Sequence, residues 1–437
     1  MKIKALLFVA AATATMASCK KDDTTETPSA ETQKFKVTIE NVQTPYMYQS
    51  SGIFNTPVGA SMPGGAGPGN VYEFTVNADQ DSRLSFATMF VGSNDLFFAP
   101  DEGGLALYNN GVMVTGDVTS QIKLWDAGTE VNEMPGSGAN QPMNQSGPNT
   151  GPAENGTVRD IVNVMDGFTY PSVASTIRVT LTAGANANEV VVRIENLSGS
   201  TTPIAPGVWA VHKSGYPIFR ENMADAGNGL EALAEDGSPV ALGAYLEMNS
   251  GINTPFAPGV WAVHASNVKP VFMSGDNSSA GLEALAEDGD ASVLGAALET
   301  TSGVTSSGVF NTPMGASSPG PIFPGDKYEF TFTATKGEYL SIATMYVQSN
   351  DLFYGFGQDG YELWNGNSPQ SGDITSVIQL WDAGTEVNEL PGFGMNQPPR
   401  QSGPNTGADE NGTVIPVNDG YTYIMNDKSI KVTLSLN

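Results

Sequence analysis

The chain has 437 residues, long enough for two or three domains that each bury their own core. Its 19 Lys and Arg stand against 46 Asp and Glu, a formal net charge of −27. That balance excludes nucleic acid and anionic lipid surfaces as partners, because both need basic side chains.

From the N-terminus, Lys2 and Lys4 form a basic region and Leu6 to Ala17 an apolar stretch too short to span a bilayer, so residues 1–18 are expected to be a signal peptide. The segment ends Met16-Ala17-Ser18-Cys19, which resembles a bacterial lipobox and implies acylation of Cys19. An ordinary signal peptide with an incidental cysteine is the alternative. Cys19 is the only cysteine, so no internal disulfide can form and the fold must rest on core packing or a metal. Residues 19–34 then read as a lipidated tether, since Lys20 to Ala30 are polar and lack apolar periodicity. The Cys-Lys-Lys-Asp-Asp start is similar to surface-export signals of Bacteroidota lipoproteins. It implies an outer-membrane lipoprotein exposed at the surface, touching the membrane only through its lipid.

The body of the chain is abundant in Gly, Pro, Ser, Thr and Asn, a mix that favours short strands and turns. Alternating patterns predict half-buried strands at Phe35 to Asn41, Tyr72 to Val76, Ile177 to Leu181 and Tyr328 to Phe332, while Leu84 to Val91 is apolar on both faces, as in a sandwich interior. A long repeat pairs SGIFNTPVGAS (from Ser51) with SGVFNTPMGAS (from Ser307), and runs through LSFATMFVGSNDLFF and LSIATMYVQSNDLFY to LWDAGTEVNE at Leu124 and Leu380. It continues through QSGPNTG and ENGTV to IRVTL at Ile177 and IKVTL at Ile430. A shorter repeat lies between the long copies: APGVWAVH at Ala205 and Ala257, GLEALAEDG at Gly229 and Gly281, LGAYLE and LGAALE at Leu242 and Leu294. In GLEALAEDG, Leu230, Leu233 and Ala234 fall at helical spacing and Gly237 can end the helix, so one short helix is expected in each copy. The strand at Phe35 is also doubled, since VVVRIEN (190–196) resembles FKVTIEN (35–41). These repeats place a first, abbreviated domain at 35–182, a linker at 183–188 and a second domain at 189–437 that contains the tandem duplication, at about 203–247 and 255–299.

Each long copy sets three acids at matching positions: Asp95, Asp126 and Glu130, then Asp351, Asp382 and Glu386. Asp126 ends an apolar run, Ala127-Gly128 can turn the chain so that Glu130 returns beside it, and Asp95 ends the strand Leu84 to Val91, just after Asn94. Loops at one end of a sandwich converge, so both turns can face one ion, and calcium takes six to eight oxygens of this kind. Asp and Asn are also good turn residues, and spacing alone leaves that reading open. The EF-hand order is absent and no Cys or His cluster suggests zinc or copper.

The order PG…YEF…LSxATMxVxSNDLF…DAGTEVNE…PG resembles the spondin N-terminal domain, and AVH with GLEALAEDG resembles the first half of the same domain. The resemblance covers nearly all of 35–437, in two tandem copies. It implies an all-β fold of two C2-like antiparallel β-sandwich domains, with short helices in the duplicated segment. It also implies a calcium ion (Ca2+) at one end of each domain, with Asp95, Asp126, Glu130, Asp351, Asp382 and Glu386 as metal ligands. The chain departs from animal members in ending the motif with Glu rather than Asp, in lacking their cysteines, and in having no AVH…GLEALAEDG half in its first domain.

The two histidines, His212 and His264, have no nucleophile or second acid at a recognisable spacing, and each is expected to make a local hydrogen bond within a strand. The five Trp are expected in core or half-core positions. Glu231, Glu235 and Asp236 are expected on a solvated helix face. The expected function is a non-catalytic, calcium-binding adhesion or ligand-binding lipoprotein whose partner is an extracellular protein or glycan. A carbohydrate-binding or glycan-processing surface protein and a purely structural matrix protein are the alternatives.

Overall fold

The computed structural model describes residues 31–437, so the expected signal peptide, Cys19 and the stretch Lys20 to Ala30 lie outside the described residues. The fold is an all-β sandwich built twice. In the first, a seven-stranded sheet runs Arg159–Asp160, Ile122–Asp126, Leu96–Pro100, Arg83–Phe90, Ile204–His212, Tyr48–Phe54, with Leu105–Ala106 paired off Arg83–Phe90. A four-stranded sheet, Val71–Asn77, Glu189–Asn196, Ile177–Ala183, Gly116–Asp117, packs against it. The second repeats this order: Val304–Phe310, Phe256–Ala265, Glu338–Tyr346, Leu352–Gly355, Gln379–Asp382 and Ile415–Pro416 form the large sheet with Tyr361–Glu362 at its side. Lys327–Thr335, Thr32–Asn41, Ile430–Leu436 and Gly372–Asp373 form the small one.

The boundaries expected from the repeats do not separate these sheets. The supposed linker 183–188 is a hairpin turn, because Ile177–Ala183 and Glu189–Asn196 pair antiparallel from Ile177↔Asn196 to Ala183↔Val190. So short a connection between two strands makes them neighbours, not separate domains. The first copy of the short repeat then stays with the first sandwich, where Ile204–His212 pairs with Arg83–Phe90 and Tyr48–Phe54. Each sandwich thus holds one copy of the short repeat, and the first is not abbreviated. The vacancy falls instead in the second small sheet, which is filled by the N-terminal strand: Thr32–Asn41 lies between Lys327–Thr335 and Ile430–Leu436. Residues 32–34, expected to be part of a tether, are strand instead, since Thr32, Gln33 and Lys34 continue that ladder opposite Thr335, Ala334 and Thr333.

Alternation accounts for the packing. Val190, Val192 and Ile194 face Phe54, Leu84, Phe86 and Phe98 between the two sheets of the first sandwich, and Phe35, Val37 and Ile39 face Leu340, Ile342 and Tyr354 in the second. The other face of each large sheet is covered by a helix pair. Leu230–Asp236 and Val240–Met248 pack Leu230, Leu233, Leu242 and Leu246 on Ala87, Phe97 and Val208. Ala280–Asp288 and Ala291–Thr300 do the same in the second sandwich. That third layer is why Arg83–Phe90 is buried on both faces. Truncating Leu233 or Leu285 to Ala would cost about 2–5 kcal/mol. The first helix of each pair ends as expected, on Gly237 (φ 66°) and Gly289 (φ 69°). The second helix of each pair, at LGAYLE and LGAALE, was not anticipated from the repeat.

Candidate metal centre

Asp126 and Asp382 are the last residues of their strands, opposite Leu96 and Leu352. Asp126 Oδ1 accepts from the Gly128 N–H at 2.6 Å and Asp382 Oδ1 from Gly384 N–H at 2.7 Å, which closes the DAG turn. Both glycines sit at φ +69°, and a Cβ on either would lie 2.6 Å from backbone of Thr157 or Thr413. Only glycine allows the acidic turn to lie this close to the ENGTV segment. That segment runs back along the turn through Glu154 N–H to Thr129 O and Gly156 N–H to Gly128 O, and likewise through Glu410 and Gly412 in the second copy.

The result is a cluster of three carboxylates in each sandwich, with ligand atoms within 4.8 Å of one another: Asp95, Asp126 and Glu154, then Asp351, Asp382 and Glu410. Four of the six residues expected from the sequence are brought together. Glu130 and Glu386 are not part of these clusters. Their longer arms carry the carboxylates to the loop beyond: Glu130 Oε1 accepts from Gly151 N–H at 2.6 Å and Glu386 Oε1 from Gly407 N–H at 2.8 Å, with Asn94 and Asn350 donating to the other oxygen. Their backbone N–H groups still serve the centre, each donating to the first aspartate, Asp95 or Asp351, at 3.1 Å. Glu154 and Glu410 take the third place. Sequence reasoning missed them because ENGTV is remote in sequence, although its presence in both copies was a signal.

Asp95 and Asp351 are fully buried, and in each the Oδ2 atom collects two backbone N–H groups while Oδ1 has no hydrogen-bond partner at all. A buried carboxylate oxygen without a partner is costly and calls for a cation, a proton or water. Burial, then the charge of Asp126, raises the Asp95 carboxyl well above its usual range. Burial, with Asp382, pushes Asp351 up to about 7. Burial also raises Asp126, against the pull of the Arg159 guanidinium, and raises Asp382 and Glu410.

Two further acids lie next to the centres. Glu235 and Glu287, expected on a solvated face, are 2% and 3% exposed, and burial pushes both up to about 7, opposed by the hydroxyls of Thr129 and Thr385. Each lies in the last turn of its helix, beside Thr129 and Glu130 or Thr385 and Glu386 of the DAGTE turn. Glu231 and Asp236 are half-buried, and Asn149 and Gln145 donate to them.

Each histidine makes its local bond, to the carbonyl of Lys213 or Ala265, and also meets a serine that sequence spacing did not suggest. His212 Nε2 lies 2.8 Å from Ser85 Oγ and His264 Nε2 lies 2.9 Å from Ser341 Oγ. These pairs are buried between strands. A Cβ on Gly104 would stand 3.0 Å from both His212 Nε2 and Ser85 Oγ, so the backbone of that glycine packs directly on the pair. Trp125, Trp364 and Trp381 are buried, and Trp209 and Trp261 are half-buried, stacked on Phe74 and Phe330.

No helix among the described residues is long and apolar enough to cross a membrane. No protein-family model and no curated protein matches the chain.

Proposed function

We propose that this chain is a calcium-binding, non-catalytic surface protein that acts in adhesion or extracellular ligand binding, with spondin-like sandwiches, anchored to the outer membrane through lipid on Cys19. The observation that carries the reading is the orphaned Oδ1 of Asp95 and of Asp351, each buried beside two further carboxylates. The donor set is all oxygen, which suits a hard cation and not zinc or copper. Asp95, Asp126 and Glu154 would hold one ion, and Asp351, Asp382 and Glu410 another. Each ion would supply charge compensation and tie the strand-end turns to the ENGTV segment, giving the loops at that end a fixed shape for an extracellular protein or glycan.

Melting the purified chain in calcium and in EDTA tests the proposal. Calcium should raise the melting temperature, by about 2–4 °C for each kcal/mol of linked binding in sandwiches of this size. Asp95→Asn combined with Asp351→Asn should remove that response. Identical melting in calcium and EDTA would refute it.

A further inference from the structure

The two carboxylate clusters are not equivalent, although the turns that build them are identical in sequence. The residue paired across the strand from the cluster aspartate is Arg159 in the first sandwich and Ile415 in the second: Asp126↔Arg159 and Asp382↔Ile415. Arg159 Nη2 donates to Asp126 Oδ2 at 2.9 Å and to Glu154 Oε1 at 2.6 Å. It therefore engages two of the three cluster carboxylates and uses lone pairs that an ion would need. In the second sandwich Ile415 is exposed and has no charge to give, and the further charge acting on Asp382 and Glu410 is that of another acid, Asp419. The strand beneath follows the same trend, with Lys123 in the first copy where Gln379 stands in the second, although Lys123 is already held by Asp101 and Asp160. Both copies keep the buried, unpartnered Oδ1 on the first aspartate, so both retain a feature that points to a cation.

We infer that Arg159 is a built-in cation for the first cluster, so that divalent ions fill the second cluster first and the first cluster only weakly. Three carboxylates with a guanidinium carry two negative charges; three without one carry three. Ligand charge is one of the quantities that sets calcium affinity at all-oxygen sites. The guanidinium also has to be displaced from Asp126 and Glu154 before an ion can use both of them. Under this arrangement the first sandwich keeps its loop end closed when calcium is scarce, and the second responds to the calcium level. The inference rests on the metal reading proposed above.

The test is a calcium titration of the metal-stripped full chain by isothermal calorimetry, repeated on Arg159→Ile and Ile415→Arg, each of which installs the residue that the other copy already carries. The unsubstituted chain should show two unequal sites. Arg159→Ile should tighten the weaker site by roughly tenfold or more, and Ile415→Arg should weaken the tighter one by a similar factor, as expected for a full charge placed beside a dication. Two equal sites in the unsubstituted chain, or a titration unmoved by Arg159→Ile, overturns the inference and leaves the metal reading standing. No calcium bound by any of the three forms, checked by equilibrium dialysis, overturns the metal reading and this inference with it.

Discussion

Glu287 provides a test of how the helix layer meets the sheet layer. Its carboxyl is 3% exposed, and its folded pKa is raised from 4.5 to about 7 by burial. Between those two values the folded protein holds a proton that the unfolded chain has released. Stability from this group is therefore fully present below pH 4.5, falls as pH rises toward 7, and is lost above it. At about 1.4 kcal/mol per pH unit, the span is worth on the order of 3 kcal/mol. Glu287→Gln keeps the shape and removes the titration. The variant should match the unsubstituted chain near pH 4.5 and exceed it at pH 8, by roughly 5–10 °C in the melting transition of the second sandwich. Differential scanning calorimetry at both pH values, with calcium held constant, measures this. A difference between variant and parent that is the same at pH 4.5 and pH 8 would refute the reasoning.

Further outcomes are expected elsewhere. Glu235→Gln should act in the same way on the first sandwich, since its carboxyl is also raised to about 7 by burial, and the two effects should add in the double variant, read by calorimetry. Val37→Asp places a charge in the second core, where Val37 is fully buried; at a cost of several kcal/mol, hydrogen exchange should speed up in 327–335 and 430–436 while 71–77 and 177–183 stay protected. The reverse pattern would restore the domain boundary expected from the repeats. Gly384→Ala forces a Cβ to 2.6 Å from the Thr413 N atom at φ +69°; it should cost about 1–3 kcal/mol and weaken calcium binding by calorimetry, whereas Gly315→Ala, with open space around it at φ +86°, should leave binding unchanged.

The strands were legible because each half-buried strand carries its own period. Ile177, Val179 and Leu181 declare a buried face whatever they pack against. Their partners were not legible. FKVTIEN and VVVRIEN present the same alternation, and either satisfies the slot in either small sheet, so pattern alone assigned the N-terminal strand to the nearer repeat. The short AGANAN connection held the decisive information, because it forces Ile177–Ala183 and Glu189–Asn196 to be neighbours. At the candidate centre, Asp126 and Asp382 were legible since they end strands and close turns. Glu130 was a natural third ligand by spacing, but its extra methylene carries it to Gly151. Glu154 is brought in by backbone pairing between distant loops, which no local pattern encodes. Glu235 read as solvated for a similar reason: the helix alone leaves it outside, and only the docked DAGTE turn buries it.

The most direct measurement is the anomalous diffraction of a crystal grown in calcium. A peak is expected between Asp351, Asp382 and Glu410, with carboxylate oxygens at about 2.3–2.6 Å, and the Oδ1 atom of Asp351 among them. No peak there at saturating calcium, or calcium found only on acids elsewhere on the surface, would contradict it.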